Sequence, residues 1–206
     1  TQNADSLFAV TVINTEDNAD YTPPQGVKGE YDQINKIQSK EQSLVLKFDN
    51  LPAKNRGAAK KTFDNLTDSQ KRSFMSYDFL KLYLYGNPGN DWNQFSETSD
   101  VDFFIKFGMG DDYYEITQAV FKGWDEDLNR NEIKLDLDWL STLKKKDTTT
   151  VVKYNDADIF IDSADVKRYI FIDENGYPVR EVKIKGKPAL NRLQYFMLGI
   201  SNKTEH

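Results

Sequence analysis

Apolar and polar residues alternate through many short runs of this chain, each closed by a turn-forming cluster, and no other feature restricts the fold as much. In an extended strand successive side chains point to opposite faces, so a period of two marks a strand with one face buried and one wet. Residues 42–48 place Leu44, Leu46 and Phe48 on one side before Asn50, Leu51 and Pro52 break the run. Residues 78–86 send Leu80, Leu82 and Leu84 one way and Lys81, Tyr83 and Tyr85 the other. Val101, Phe103, Ile105 and Phe107 alternate with Asp102, Phe104 and Lys106 ahead of a turn at 108–112, and residues 113–121 supply the antiparallel partner. Ile133, Leu135 and Leu137 alternate with Glu132, Lys134, Asp136 and Asp138. Asp138 is then placed to cap a short helix through Trp139, Leu140 and Leu143.

Further along, residues 169–172 and 179–185 flank Asp173, Glu174, Asn175 and Gly176, a turn chemistry that predicts a hairpin. Residues 192–200 are nearly continuous in apolar side chains, which suits a central strand buried on both faces. Seven or more strands, with little room for long helices, predict an all-β fold: an antiparallel β-sandwich of the jelly-roll, galactose-binding-like type with short helical segments. The 13 Phe and 11 Tyr agree with this, because their rings suit half-buried pleated surfaces. The expected core includes Leu44, Leu46, Leu82, Leu84, Phe103, Ile105, Leu135, Leu137, Ile184 and Met197.

A length of 206 residues predicts one domain with an irregular lead-in. Residues 1–40 read as a connector with one strand near 7–13, broken by Pro23, Pro24 and Gly26, residues 41–202 as the sandwich, and residues 203–206 as a disordered tail. The basic stretch 56–61 reads as a loop. The opening at Thr1 and the closing Lys203, Thr204, Glu205 and His206 read as the ends of a piece cut from a longer protein, the last residues being a tag remnant.

The same residues bound the chemistry. A net charge of −6 argues against phosphate-backbone binding, which needs concentrated Lys and Arg. No run approaches the roughly 18 apolar residues of a spanning helix, so direct membrane insertion of these residues is not expected. The absence of cysteine removes thiolate catalysis and the common structural zinc sites. His206 is the sole histidine, so imidazole triads lack their base. Gly108 and Gly110 read as a hairpin turn rather than a phosphate loop, since Tyr113 follows without a helix start. Asp136 and Asp138 share a strand face as a glycosidase pair would, but Glu132 and Lys134 stand there too, which makes it a solvated surface. No enzymatic activity and no cofactor are expected.

Two binding readings survive. Asp125, Asp127, Asn129 and Asn131 alternate as in a calcium loop, although Arg130 stands where an EF-hand needs glycine, so a structural calcium ion of another geometry is the one metal left open. The aromatics support either of two surfaces. Tyr83, Tyr85 and Phe104, on second strand faces, would anchor a protein contact, whereas Trp92 and Trp124, in loops, would stack on a glycan.

Short motifs spread along the chain add a resemblance. The stretch Val12, Ile13, Asn14, Thr15, Glu16, Asp17, Asn18 through Tyr21, Pro23, Pro24, Gln25, Gly26, Val27 resembles the lead-in to amino-terminal-type domains of the SprA family. Glu41, Gln42, Ser43 and Leu44 with Leu51 are similar to its first strand, residues 79–86 to its strand ending in a Tyr-Gly turn, and Tyr113, Tyr114 and Glu115 to its paired-tyrosine strand. Lys185, Gly186, Lys187, Pro188, Ala189 and Leu190, continuing through Met197 to Asn202, resemble its closing segment. The matches follow the family's order across most of the chain. The departures are Lys187, where Asn is common, Ser201, where Arg is usual, and the insertion-like stretch 139–164. The resemblance implies a non-catalytic interaction or scaffold module carried by a very large outer-membrane β-barrel of type IX secretion and gliding motility. Its partners would then be the rest of that barrel and associated secretion proteins, on a side of the outer membrane that the sequence leaves open.

Overall fold

A computed structural model describes residues 8–49, 51–63, 74–87, 98–143, 157–163, 165–172 and 178–204. The chain divides into two compact units, Thr1–Pro52 and Ala53–His206. The boundary expected at 40/41 falls inside the first unit, because the strand it would have assigned to the sandwich pairs instead with the lead-in. In that unit β1 (Phe8–Asn14) and β4 (Gln42–Phe48) form an antiparallel ribbon, and β2 (Tyr31–Asp32) pairs with β3 (Ile37–Gln38).

The ribbon's register sets Phe8 opposite Phe48, Val10 opposite Leu46 and Val12 opposite Leu44, so these three pairs line one face with apolar side chains, and Asn14 opposite Gln42 ends it. Leu44, expected in the core, is 48% exposed there, since a two-stranded ribbon has no second layer of its own. Asn14 organises the turn that follows β1. Its Oδ1 accepts from the backbone N–H groups of Glu16 and Asp17 at 3.0 and 2.9 Å, while its Nδ2 donates to the Asp17 carboxylate at 2.8 Å. That bond, with Lys40 beside it, holds the Asp17 carboxyl below its ordinary range.

The second unit is built on one large antiparallel sheet. Its strands are β5 (Arg56–Thr62), β7 (Thr98–Met109), β8 (Asp112–Phe121), β10 (Ala157–Ser163), β11 (Val166–Ile172), β12 (Pro178–Lys185) and β13 (Tyr195–Asn202), in the order β10-β11-β12-β8-β7-β13-β5. A separate antiparallel pair joins β6 (Phe79–Tyr83) to β9 (Glu132–Asp136), which runs into the short helix α1 (Leu137–Leu143). The result is a mostly antiparallel β-sheet protein with one short helix among the described residues. No helix among the described residues is long and apolar enough to cross a membrane.

Local chemistry explains the connections. The two-residue turn between β7 and β8 puts Gly110 at φ 57, a conformation only glycine adopts cheaply, and the expected hairpin forms with Met109 opposite Asp112. The hairpin expected at 169–185 forms as β11 and β12, although its turn lies outside the described residues. The last strand is central as expected, between β7 and β5, but only Tyr195 and Gly199 on it are buried, so it is not buried on both faces. Residues 56–61, read as a loop, are instead the edge strand β5: Gly57, Ala58 and Ala59 are small enough to lie against β13 where Gly199 brings the backbones close. A Cβ at Gly199 would come within 3.0 Å of the Gly57 carbonyl oxygen, the Phe104 ring and Ala58.

Direct cross-strand partners share a face, and in this sheet one face is the core. Tyr169, Val182, Ile116 and Ile105 stand in one row across β11, β12, β8 and β7, all buried. Helix α1 covers the β11 side, with Trp139 meeting Tyr169 and Phe171 edge-on at 5.9 and 6.0 Å and the Tyr169 hydroxyl donating to the Leu143 carbonyl at 3.3 Å. Phe74 covers the other side, packed on Phe107 and Phe196 with ring centroids 5.7 and 6.3 Å away. Phe103, Ile105, Leu135, Leu137 and Ile184 are buried as expected, whereas Leu46, Leu82, Leu84 and Met197 are only half-buried. The helix cap also differs from expectation. Asp136 Oδ1 accepts from the Trp139 backbone N–H at 2.8 Å, so Asp136 is the N-cap and Asp138 lies exposed in the first turn.

Candidate functional site

The aromatic residues singled out by the sequence separate into different environments. A reciprocal pair of backbone bonds joins Gly86 and Gly123, with Gly86 N–H to Gly123 O at 3.0 Å and Gly123 N–H to Gly86 O at 2.8 Å. This clamp sets Tyr85 beside Trp124, rings 4.9 Å apart and edge-on at 61°, with Tyr85 largely exposed. Tyr83 is half-buried on β6 with the Lys81 ammonium 4.7 Å from its ring, and Lys81 also pairs with Glu132 at 3.1 Å. Phe104 is a correction. It is buried beneath the Arg56 guanidinium, 3.7 Å from its ring, and cannot act as an exposed anchor. Trp92 lies outside the described residues.

The loop proposed for calcium is held by other means. Asp125 Oδ2 accepts from the Arg130 backbone N–H at 2.8 Å and from its Nε at 3.0 Å, and Oδ1 accepts from Nη2 at 2.6 Å. Both carboxylate oxygens are thus committed to the Arg130 guanidinium and backbone, and the turn takes positive φ at Asp125 and Asn129. Asn131 is fully buried and points inward: its Oδ1 accepts from Phe121 N–H at 2.9 Å, and its Nδ2 donates to the carbonyls of Phe121 and Gly123 at 2.8 and 2.9 Å. Asp125 and Asn131 therefore face different partners, and Asp127 is exposed. Among the described residues, no group of three or more His, Cys, Asp or Glu side chains is placed to hold a metal ion.

Next to this loop lies a buried polar connection that the sequence did not reveal. Arg180 on β12 donates through Nε to Gln118 Oε1 at 2.6 Å and through Nη2 to the Glu132 carbonyl at 2.7 Å, while Gln118 Nε2 donates to the carbonyls of Ala119 and Arg130. Burial lowers the Arg180 pKa, against the pull of Glu132, yet a guanidinium stays charged at any pH a fold survives. The arrangement ties β8, β12 and β9 together and is structural.

The opposite face of the large sheet carries a second arrangement the sequence did not reveal. Glu115 is buried there, with Arg56 Nη1 at 3.0 Å and Lys106 Nζ at 3.7 Å from its two oxygens. Arg168 grips Glu181 in a fork, with Nε at 3.0 Å and Nη2 at 2.6 Å, and Lys203 sits 2.9 Å from Asp102. Burial raises the Asp102 pKa, partly offset by Lys203, and burial lowers that of Lys106, partly offset by Glu115. Lys106 lies 3.6 Å from the Tyr113 ring and Lys60 4.7 Å from the Tyr195 ring. Alternation in β7 was the sequence signal available for this face, and it gives faces without strand order.

These observations define a class, a mostly antiparallel β-sheet protein whose described carboxylates are paired with cations or capping backbone groups in several places. No family model matches the chain, and no curated protein matches it.

Proposed function

We propose that this chain is a non-catalytic interaction domain of a large SprA-like outer-membrane protein, serving type IX protein secretion and gliding motility by docking against the rest of its barrel and associated envelope proteins. The ordered motif resemblance supports the parent. One structural observation carries the docking reading: ordered strands present large apolar side chains outward, with Val10, Val12 and Leu44 exposed by 41, 56 and 48% on the β1–β4 ribbon and Tyr85 by 52% after β6. Such positions are the usual raw material of a contact surface. The β6–β9 pair and α1, lying over the core face of the large sheet, are read in the same proposal as the second layer of a jelly-roll sandwich.

The test is an in-frame removal of residues 8–204 from the parent gene, with the barrel kept. Loss of cargo secretion and of gliding, at unchanged barrel levels in the outer membrane, is expected. Normal secretion and gliding would overturn the reading.

A carbohydrate-binding module is the second reading, favoured by the Tyr85 and Trp124 rings brought together at the surface. It requires saturable binding of a defined oligosaccharide that Trp124→Ala abolishes.

A further inference from the structure

The large sheet has a cationic outer face that composition does not account for, since the chain as a whole carries −6. Reading straight across six strands, the register aligns Arg168, Lys183, Glu115, Lys106, Met197 and Lys60, each directly opposite the next. With neighbouring strands about 4.8 Å apart, this row is about 24 Å long. Arg56 and Lys185 stand on the same face in the flanking rows, opposite Ser201 and Tyr113.

Depth sorts the charges. The Glu115 side chain is 7% exposed and that of Arg56 40%, so the carboxylate forms the floor and the cations the outer layer. Arg56 and Lys106 share this one carboxylate, and Lys183 stands directly opposite it in the register. Among the described residues no carboxylate lies within ion-pair distance of Lys60, Lys183 or Lys185. Arg168 stands directly opposite Lys183, a like-charge pair whose cost is met on the Arg168 side by its fork with Glu181. An excess of cations over a buried acid becomes favourable when further negative charge arrives from outside.

We propose that this face is the docking surface for an acidic face of a protein partner, which deepens the docking reading above and rests on it. Six strands about 24 Å across and roughly seven residues long give on the order of 550 Å², close to one side of a small specific protein interface. Sugar recognition needs free ring faces, but Phe104, Tyr113 and Tyr195 each already have a cation over them, at 3.7, 3.6 and 4.7 Å. Those same cations deny the rings to nucleic-acid bases, which bind by stacking. The paired acids Asp102 and Glu181 on the face, with Asp111 and Asp112 at its hairpin end, would set the partner's orientation by repulsion.

The full chain, titrated with short poly-L-glutamate at low and at physiological ionic strength, tests this, with polygalacturonate of matched charge as the competing probe. Polyglutamate should bind at low salt and weaken as salt is added, and the pair Lys60→Glu and Lys183→Glu should weaken it roughly tenfold. Lys134→Glu, on β9, should leave binding unchanged. Thermal melts of each variant show that it is folded. Three results would each overturn the proposal: no binding of either probe, equal binding by the Lys60 and Lys183 variant, or tighter binding of polygalacturonate. None of them touches the docking reading, whose readout is secretion and gliding in the parent.

Discussion

Asn131 does with one amide what a neighbouring strand does with its backbone: it offers an acceptor and two donor hydrogens to Phe121 and Gly123 in a site closed to water. Replacing it with Ala would leave a buried N–H and two carbonyls without these bonds. Asn131→Ala should therefore cost about 2 kcal/mol or more in urea denaturation, since each orphaned group costs about 1–3 kcal/mol. In the sequence Asn131 looked like the fourth member of an alternating acidic set, because spacing shows periodicity and not which side chains turn inward. Phe104 was misread for a related reason. Alternation placed it on the second face of its strand, but the cation that buries it comes from β5, which is joined to β7 only through β13. Asp102 makes a different forecast. Its folded pKa lies above the ordinary 3.8, so in the window from 3.8 up to that raised value the folded state holds a proton that the unfolded chain has lost. Stability then falls as pH rises through the window, opposite to a typical paired carboxylate. Asp102→Asn should match the wild type at the acid end and gain on it as pH increases, in melting temperatures taken across that range.

At the level of elements, strands were legible wherever the period of two ran over at least five residues, as in β4, β6, β7 and β9, and β12 was legible from the turn before it. β5 was missed because Arg56, Gly57, Ala58, Ala59, Lys60 and Lys61 hold no apolar alternation, and its strand character comes from the fit of small residues against β13. Helix α1 was anticipated two residues late. The two capping assignments make separable forecasts: Asp136→Ala should lose about 1 kcal/mol in chemical denaturation, while Asp138→Ala, exposed in the first turn, should lose only a few tenths. Lys167 adds a counterpart at the other end, its ammonium donating to the Leu143 carbonyl at 3.2 Å. A cation placed there compensates one of the orphan carbonyls and the negative end of the helix dipole.

Over the whole molecule, the division after Pro52 separates a ribbon with no layer of its own from a sheet that covers one face with a helix, a strand pair and Phe74. Residues 53–206 alone should fold cooperatively with dispersed amide signals, whereas residues 1–52 alone should not, because an isolated two-stranded ribbon is marginal in water. A well-dispersed spectrum from the short piece would refute this. Sheet order was the part of the fold least available from sequence, since a strand's partners are set by distant packing that no local pattern records. One consequence concerns crowding. Among the described strands β5 bonds to β13 only, so its other backbone edge is a template for any passing strand. Lys60 and Lys61 send ammonium groups to opposite faces of that edge, so a molecule adding on either side must strip water from a charge. Converting both to Thr should leave the monomer folded while shortening the lag before turbidity appears in concentrated solution. The same lysines thus serve as a guard against self-association, keeping this margin of the sheet from growing into a fibre.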